Sequence, residues 1–213
     1  MEFYKFIGEP CCDFILYLAA LSTQINRKVA VLDYTNNRRI INMLSEEIQS
    51  SNMIHFKGYD VTSNLEYDPG CQYDHIFVVY DFTTDSLLES QFRFPWKGIY
   101  VISDVHKRNL LLAVEILCSD EAKGRLILRD TGLGKISYEY ISTNYLPSGE
   151  KCIVIEYDEE DYIRRVELEF EVNQRKVCLS KSYKDALIKI AEEITGEPMT
   201  KMKKAFQQLE RGK

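Results

Sequence analysis

The sequence predicts a three-layer α/β fold, in which a mostly parallel, twisted sheet is flanked by helices on both faces. Short continuous apolar runs alternate along the chain with longer segments in which apolar residues recur at helical spacing. Continuous apolar runs are typical of strands covered on both faces, and their alternation with helices indicates βαβ units. The 213 residues, of which 45% are apolar and 28% charged, fit one globular domain with a sizeable core.

The first half of the chain begins with an apolar strand, a turn at Gly8 to Pro10, and a helix with an apolar face. A second buried strand and a second helix follow. Gly58, Pro69 and Gly70 then break the pattern, so that we predict an irregular stretch. The predicted bounds are 3–7 and 29–32 for the strands, 13–25 and 38–49 for the helices, and 53–74 for the irregular stretch.

The second half repeats the same alternation. The predicted strands are 75–80, 99–102, 125–128 and 152–155, the helices are 105–118 and 182–195, and 87–95 is a short crossover. We expect 29–33, 75–81, 99–103 and 125–129 to be among the central strands. GLGK at 132–135 lacks the frame of a phosphate-binding loop, and we interpret it as a turn. We place the folded domain at 1–198 and a separate C-terminal tail at 199–213.

Charge and composition disfavour several classes of protein. The net charge is −6, which disfavours nucleic acid as a partner. Residues 1–8 lack the charged and apolar pattern of a secretory leader, and no apolar run approaches the roughly 18 residues of a membrane span. We therefore expect a cytoplasmic protein.

The cysteines do not have the spacing of a metal site or a disulfide framework, since no two form a CxxC pair. They are Cys11, Cys12, Cys71, Cys118, Cys152 and Cys178. We expect them to be small, mostly buried apolar residues in a reducing compartment, with no metal and no cofactor bound.

One stretch of the chain matches a known family without a gap. Residues 6–12 read FIGEPCC, 16–22 read LYLAALS and 26–33 read NRKVAVLD. This frame resembles the first strand, loop, helix and strand of MinD/ParA-like ATPases, which read KGGxGKT, then NLAxALA, then GKKVxxID. YDHIFVVYDF at 73–82, and the segments at 99–117, 154–167 and 182–196, are similar to later parts of that family. The resemblance implies a P-loop NTPase-like fold over roughly residues 3–196.

The resemblance also implies that the phosphate-binding loop is degenerate. The position of its main lysine is Cys11, that of its Mg²⁺-binding hydroxyl is Cys12, and that of the family's signature lysine is Phe6. Of its last two glycines, Gly8 remains and Pro10 has no N–H to donate.

Carboxylates stand beside this loop, at Glu9 and Asp13. Two unit charges about 4 Å apart near a protein surface interact by about 4 kcal/mol, more than the ~0.3–1 kcal/mol of a helix dipole. We therefore expect that the loop does not bind a triphosphate. Cys11 and Cys12 at a helix start could be reactive thiolates, but the neighbouring carboxylates favour a packing role.

Three further positions have vestigial matches. The resemblance places Asp33 at the first aspartate after the second strand, Thr35 at the water-orienting aspartate, and Asp81 at the switch II aspartate, with a spacing two residues too long. The position of the asparagine that the family often uses against adenine is Arg129 or Asp130. Asp33 and Asp81 have two interpretations: Mg²⁺ or nucleotide positions, or carboxylates that end parallel strands without a ligand.

Tyrosines are frequent in the later half, at Tyr138, Tyr140, Tyr145, Tyr157 and Tyr162. Tyrosine is enriched at protein interfaces, although a partly buried core position is the commoner explanation.

The tail at 199–213 has the pattern of a basic amphipathic helix. Met199, Met202, Phe206 and Leu209 recur at helical spacing, and basic residues that include Lys203 and Lys204 accompany them. Such a helix suits an anionic membrane surface, and MinD-like proteins often end in one; a partner protein or the domain itself are the alternatives. We predict that it binds membrane or a partner rather than completing the core, which would make the protein peripheral on the inner face of the membrane.

The combined prediction is a non-catalytic MinD/ParA-like adaptor, regulatory or localisation module that acts through protein–protein contacts, as in pilus, secretion or polar positioning systems. Self-association would then be a homodimer that does not depend on nucleotide. Two alternatives stay open: an ATPase with an unorthodox site in which Asp33 and Asp81 surround Mg²⁺, and a DNA-partition protein.

Overall fold

A sheet of eight strands forms the centre of the molecule in a computed structural model, which describes residues 1–9, 11–44, 53–64, 72–84, 94–119, 124–147, 152–170 and 177–211. The strands are β1 (Glu2–Glu9), β2 (Val29–Asp33), β3 (Met53–Phe56), β4 (Tyr59–Thr62), β5 (His75–Tyr80), β6 (Trp96–Ser103), β7 (Arg125–Thr131) and β8 (Cys152–Glu156). Their order is β3-β4-β2-β5-β1-β6-β7-β8. All neighbouring pairs are parallel except β3 with β4, so the predicted fold class is confirmed.

Helices cover both faces of this sheet. They are α1 (Cys12–Thr23), α2 (Arg39–Leu44), α3 (Lys107–Cys118), α4 (Tyr138–Asn144), α5 (Glu159–Leu168), α6 (Lys181–Thr195) and α7 (Met199–Glu210). None of the described helices is long and apolar enough to cross a lipid bilayer. Alternate residues of β1 point to opposite faces: Phe6 joins the core with α1 and α6, whereas Ile7 joins the core on the other side. Helix α3 packs on that second side, against β6 and β7.

The predicted central strands all lie inside the sheet, because each is an apolar run that can be buried on both faces. The turn at 132–135 is also present, with Gly132 and Gly134 at positive φ. The predicted crossover lies mostly outside the described residues, as does the predicted second helix beyond Leu44.

One expectation about local structure is wrong, and two helices were not predicted. Residues 53–62, predicted to be irregular, form the antiparallel hairpin β3–β4 at the sheet edge, with Lys57 and Gly58 at positive φ in its turn. Strands of four residues give too short a pattern to be recognised. Helix α4 was missed because it has only seven residues and buries Ile141 alone, and α5 because it is mostly polar and buries only Asp161 and Leu168.

The prediction that the C-terminal tail does not complete the core is wrong, because most of the tail forms helix α7, which packs on the domain. Met202, Phe206 and Leu209 are buried in the same cluster as α1 and α6, together with Ala205. Gly196 ends α6 in the left-handed conformation, and the chain then folds α7 back against α6 and α1. The apolar stripe that predicted a membrane or partner contact is thus occupied by the domain itself. Lys203 and Lys204 face solvent, and Met199 is 40% exposed.

Candidate functional site

The segment that would form a phosphate-binding loop is largely a strand. β1 stays paired with β6 through Ile7, Gly8 and Glu9, which lie opposite Val101, Ile102 and Ser103. A Cβ on Gly8 would lie 1.8 Å from the Ile102 carbonyl oxygen, and its φ is +134°, so close strand packing requires this glycine. Helix α1 begins at Cys12, which leaves little chain to wrap a phosphate. Pro10 lies outside the described residues.

Phe6, at the position of the signature lysine, belongs to the core. Its side chain is fully buried, stacks on Tyr100 with ring centroids 5.1 Å apart and meets the edge of Phe77 at 5.4 Å. Phe6 therefore contributes packing and has no exposed surface to offer a ligand.

Cys11 and Cys12 differ in environment. Cys11 is buried, and its hydrogen bond with Cys12, its burial and the nearby carboxylates raise the pKa of its thiol well above the ordinary value. A thiol with a raised pKa is a poor nucleophile and metal ligand, so a packing role suits Cys11. Cys12 is half-buried and lines a cleft at the start of α1.

A buried charged pair lies just inside this helix start. Both oxygens of Asp13 accept hydrogen bonds from Arg129 at the end of β7, from Nη1 and Nη2 at 2.7 Å each. Tyr183 of α6 donates its hydroxyl to Asp13 at 2.8 Å, and its ring lies 5.1 Å from the Arg129 guanidinium carbon. Each of the three residues is at most 3% exposed.

The electrostatics of this pair follow from its geometry. Burial alone would raise the pKa of Asp13, but the Arg129 guanidinium outweighs it and the pKa is lowered. Burial likewise opposes the charge of Arg129, and Asp13 overcomes that effect and raises the pKa of the arginine. Both groups are therefore ionised, and their bidentate geometry is the arrangement that compensates two buried charges best.

The cleft in front of α1 has a volume of about 410 Å³. Its lining residues are Cys11, Cys12, Asp13, Asn37, Arg39, Asn42, Met43, Arg165 and Glu169. The two arginines have carboxylate partners: Arg39 lies 3.1 Å from Glu9, and Arg165 lies 3.0 Å from Asp130. An incoming anion would compete with these partners for both guanidinium groups. None of the lining residues belongs to α7.

Asp33 organises the loop after β2. Its carboxylate accepts the backbone N–H of Thr35 at 3.1 Å, the Thr35 hydroxyl at 2.6 Å and the Ile41 N–H at 3.0 Å. The Thr35 oxygen accepts the Arg39 N–H in turn, so both residues cap the start of α2. Burial raises the pKa of Asp33, and these hydrogen bonds oppose the rise.

Asp81 likewise accepts hydrogen bonds from loop residues, in this case after β5. It accepts the Asn36 N–H at 2.5 Å, which ties it to the loop after β2, as well as the N–H groups of Thr83 and Thr84 and the Thr83 hydroxyl. Burial would raise its pKa, but these donors lower it. The structure brings the loops of Asp33 and Asp81 together at the carboxyl ends of the neighbouring strands β2 and β5. Within the described part of the chain, no cluster of three or more His, Cys, Asp or Glu side chains could hold a metal ion.

Sequence reasoning missed the partnership of Asp13 with Arg129 and Tyr183. Arg129 follows the apolar run LIL at 126–128, where a charged side chain must either leave the core or find a partner. That was the available signal, but it did not identify the partner, which lies 116 positions away.

Comparison with solved structures finds the same overall architecture in known ATPases. A ParA family ATPase from Chlorobium tepidum is 13% identical, with a TM-score of 0.56, and the match covers 96% of this chain and 97% of that one. MinD in the MinC:MinD cell division complex of Aquifex aeolicus is 13% identical, with a TM-score of 0.57 and coverage of 93% and 97%. A putative plasmid partition protein from Borrelia burgdorferi, bound to AMPPNP, is 12% identical, with a TM-score of 0.51 and coverage of 97% and 98%. The chain therefore has a MinD/ParA-like fold. No protein-family model and no curated protein matches its sequence.

Proposed function

We propose that this chain is a non-catalytic module with a MinD/ParA-like fold, which acts as an adaptor, regulator or localisation factor through protein contacts and without nucleotide. The observation that carries the proposal is the buried contact of Asp13 with Arg129 and Tyr183 behind the start of α1. This network commits the charge of Arg129 to Asp13, so the arginine is not available to an anion in the cleft in front of α1.

The energetics favour the internal network. A phosphate at the start of α1 would gain about 0.3–1 kcal/mol from the helix dipole. No lysine lines the cleft, and its two arginines, Arg39 and Arg165, are already paired with Glu9 and Asp130. Drawing Arg129 toward the phosphate would leave Asp13 buried without its partner, which typically costs about 3–5 kcal/mol.

The direct test is calorimetric titration with ATP and Mg²⁺, with a hydrolysing MinD-type protein as positive control. We expect no saturable heat for this chain. Cys12→Tyr would narrow the cleft, and Leu111→Tyr on α3 adds the same ring at an exposed position outside it. A micromolar Kd in the wild type that Cys12→Tyr abolishes and Leu111→Tyr preserves would show that the cleft binds nucleotide, and would end the proposal.

Self-association, if it accompanies this function, is proposed to be independent of nucleotide. The buried position of Phe6 supports this, because a core phenylalanine cannot reach a nucleotide held by a second copy. Size-exclusion profiles with and without ATP and Mg²⁺ should superimpose. A shift toward dimer on adding ATP would contradict the proposal.

An ATPase with an unorthodox site is the second candidate. The convergence of the Asp33 and Asp81 loops favours it, since two carboxylates at neighbouring strand ends could share a cation. Against it, the hydrogen bonds described above already engage these carboxylates. A measurable rate of ATP hydrolysis that Asp33→Asn abolishes, in a variant with an unchanged melting temperature, would favour this candidate over the first.

A further inference from the structure

Helix α5 exposes an apolar stripe. Tyr162, Ile163, Val166 and Phe170 recur at a spacing that places them on one side of the helix and its final turn, and they are between 41% and 86% exposed. Tyr157, just before the helix, extends the stripe, because its ring centroid lies 6.4 Å from that of Tyr162. Two of the tyrosines that suggested an interface in the sequence thus lie on this surface. We name these five residues the α5 stripe.

The opposite side of α5 fixes the helix to the domain. Asp161 and Leu168 are buried, and the Asp161 carboxylate accepts the backbone N–H of Ser180 at 2.9 Å. Asp158 caps the first turn by accepting the N–H groups of Glu160 and Asp161. The α5 stripe therefore lies on an anchored helix. Less conformational entropy of this chain is then lost when a partner binds.

Acidic side chains border the stripe. Helical spacing places Glu160 and Glu167 along one side and Glu169 along the other, with Glu159 at its beginning, and all four are exposed. Arg165 pairs with Asp130 and stacks on Tyr162 at 4.9 Å, whereas the half-buried Arg164 lies on the side of Glu160 and Glu167, so four carboxylates face one arginine at the rim. The surface thus combines an apolar centre with a negative rim.

We propose that the α5 stripe is a docking surface for a basic amphipathic helix of another protein. Apolar side chains of such a helix would cover the stripe, and its flanking lysines or arginines would face the glutamates. A second copy of this chain fits less well through the same face, because it would bring the two acidic rims together. The proposal deepens the proposed function, since an adaptor needs a surface for its partner, and it rests on that function only for its biological use.

The probe is a labelled synthetic helix with leucines at helical spacing and lysines elsewhere, titrated by fluorescence anisotropy against the full chain. The variants are Ile163→Glu and Val166→Glu on the stripe, and Leu111→Glu on α3 as the matched control, which adds the same charge at another exposed apolar position. We expect each stripe variant to weaken binding by about tenfold, equivalent to about 1.4 kcal/mol, and the control to leave the Kd within about twofold. If only net charge mattered, all three variants would bind the cationic peptide more tightly, and the proposal would fail.

A second arm tests the rim. Glu160→Lys combined with Glu167→Lys should weaken binding of the lysine peptide and reduce its salt dependence, and a matched peptide with glutamate in place of lysine should bind the wild type poorly. All substituted positions are exposed, so the melting temperatures should stay close to that of the wild type; Glu160→Lys puts a cation in the first turn of α5 and should cost no more than about 1 kcal/mol. If the peptide does not bind but Ile163→Glu converts a dimer to a monomer, the stripe is a self-interface and the proposal is wrong. If the chain binds nucleotide and the peptide still binds the α5 stripe, the proposed function is wrong and the docking proposal stands. The two proposals can therefore fail separately.

Discussion

The start of α1 and the helix α7 belong to the same side of the molecule, but different forces hold them in place. At the start of α1, one carboxylate is held by a bidentate arginine and a tyrosine hydroxyl, with both charges buried. At α7, the apolar side chains Met202, Phe206 and Leu209 fill the space beside α1 and α6. The first contact is directional and ionic, whereas the second is diffuse and apolar.

This difference decides how each region responds to damage. Removing one partner of a buried ion pair leaves an uncompensated charge, so the cost exceeds the value of the contact itself. The free energy that apolar burial contributes falls roughly in proportion to the apolar area that becomes exposed. This contribution does not depend on the protonation of any group. The two regions should therefore differ in the size of single-substitution effects and in their dependence on pH.

The largest effect is expected from truncation after Pro198. This change exposes the apolar surface that α7 covers and removes three large buried side chains, each worth roughly 1.5–3 kcal/mol. Typical domains are stable by only about 5–15 kcal/mol, so the truncated chain should melt at a much lower temperature or fail to fold. Thermal unfolding followed by circular dichroism measures this.

Phe206→Ala and Lys203→Ala provide a milder version of the same comparison. We expect Phe206→Ala to cost about 3–5 kcal/mol and the exposed Lys203→Ala to stay within about 0.5 kcal/mol. Co-sedimentation with anionic vesicles should be run in parallel. A truncated chain that keeps its melting temperature and loses vesicle binding would show that α7 is a membrane tail, against the burial described above.

Arg129→Ala is expected to destabilise the domain by about 3–5 kcal/mol, because Asp13 would stay buried without its partner. Chemical denaturation gives the free energy of unfolding. Arg108→Ala on α3 is the matched control, since Arg108 is exposed and should shift stability by no more than about 0.5 kcal/mol. Replacing both partners by apolar residues, Asp13→Leu with Arg129→Met, should recover much of the loss. A double variant that is no more stable than Arg129→Ala would contradict the ion-pair explanation.

The pH dependence should separate the two regions. Because the folded pKa of Asp13 is lowered, its contribution is fully present above the unfolded value of about 3.9 and is lost as the pH falls through the folded pKa. The difference in unfolding free energy between wild type and Asp13→Asn should thus be constant at neutral pH and shrink on acidification below about pH 4. The difference for Phe206→Ala should stay flat over the same range. A flat profile for both variants would show that Asp13 does not act through its charge.

Tyr183→Phe is expected to have the smallest effect. It removes one hydrogen bond to the Asp13 carboxylate and keeps the ring in the core, which should cost about 1–2 kcal/mol. Tyr157→Phe removes an exposed hydroxyl and should change nothing measurable in the same denaturation experiment. Equal effects for the two substitutions would argue that Tyr183 acts only by packing.

The layered architecture and most of its strands could be predicted from the order of the residues alone. Apolar runs such as 29–32 and 75–80 are long enough to show burial on both faces, and their order with the intervening helices follows from chain connectivity. The sequence also showed which side chains stand at the loop positions, because residue identity needs no structure. It missed the β3–β4 hairpin and α5, whose segments are too short or too polar to show a clear period.

The contacts that those side chains make could not be predicted and are known from the folded structure. Asp13 meets residues 116 and 170 positions away, and no local pattern encodes a pairing over such separations. The apolar stripe of α7 was visible in the sequence. However, an apolar face has the same sequence pattern whether a membrane, a partner or the chain's own core covers it. Its burial was settled by the space beside α1 and α6, because side-chain periodicity gives the direction of a face and tertiary packing alone supplies the surface that it meets.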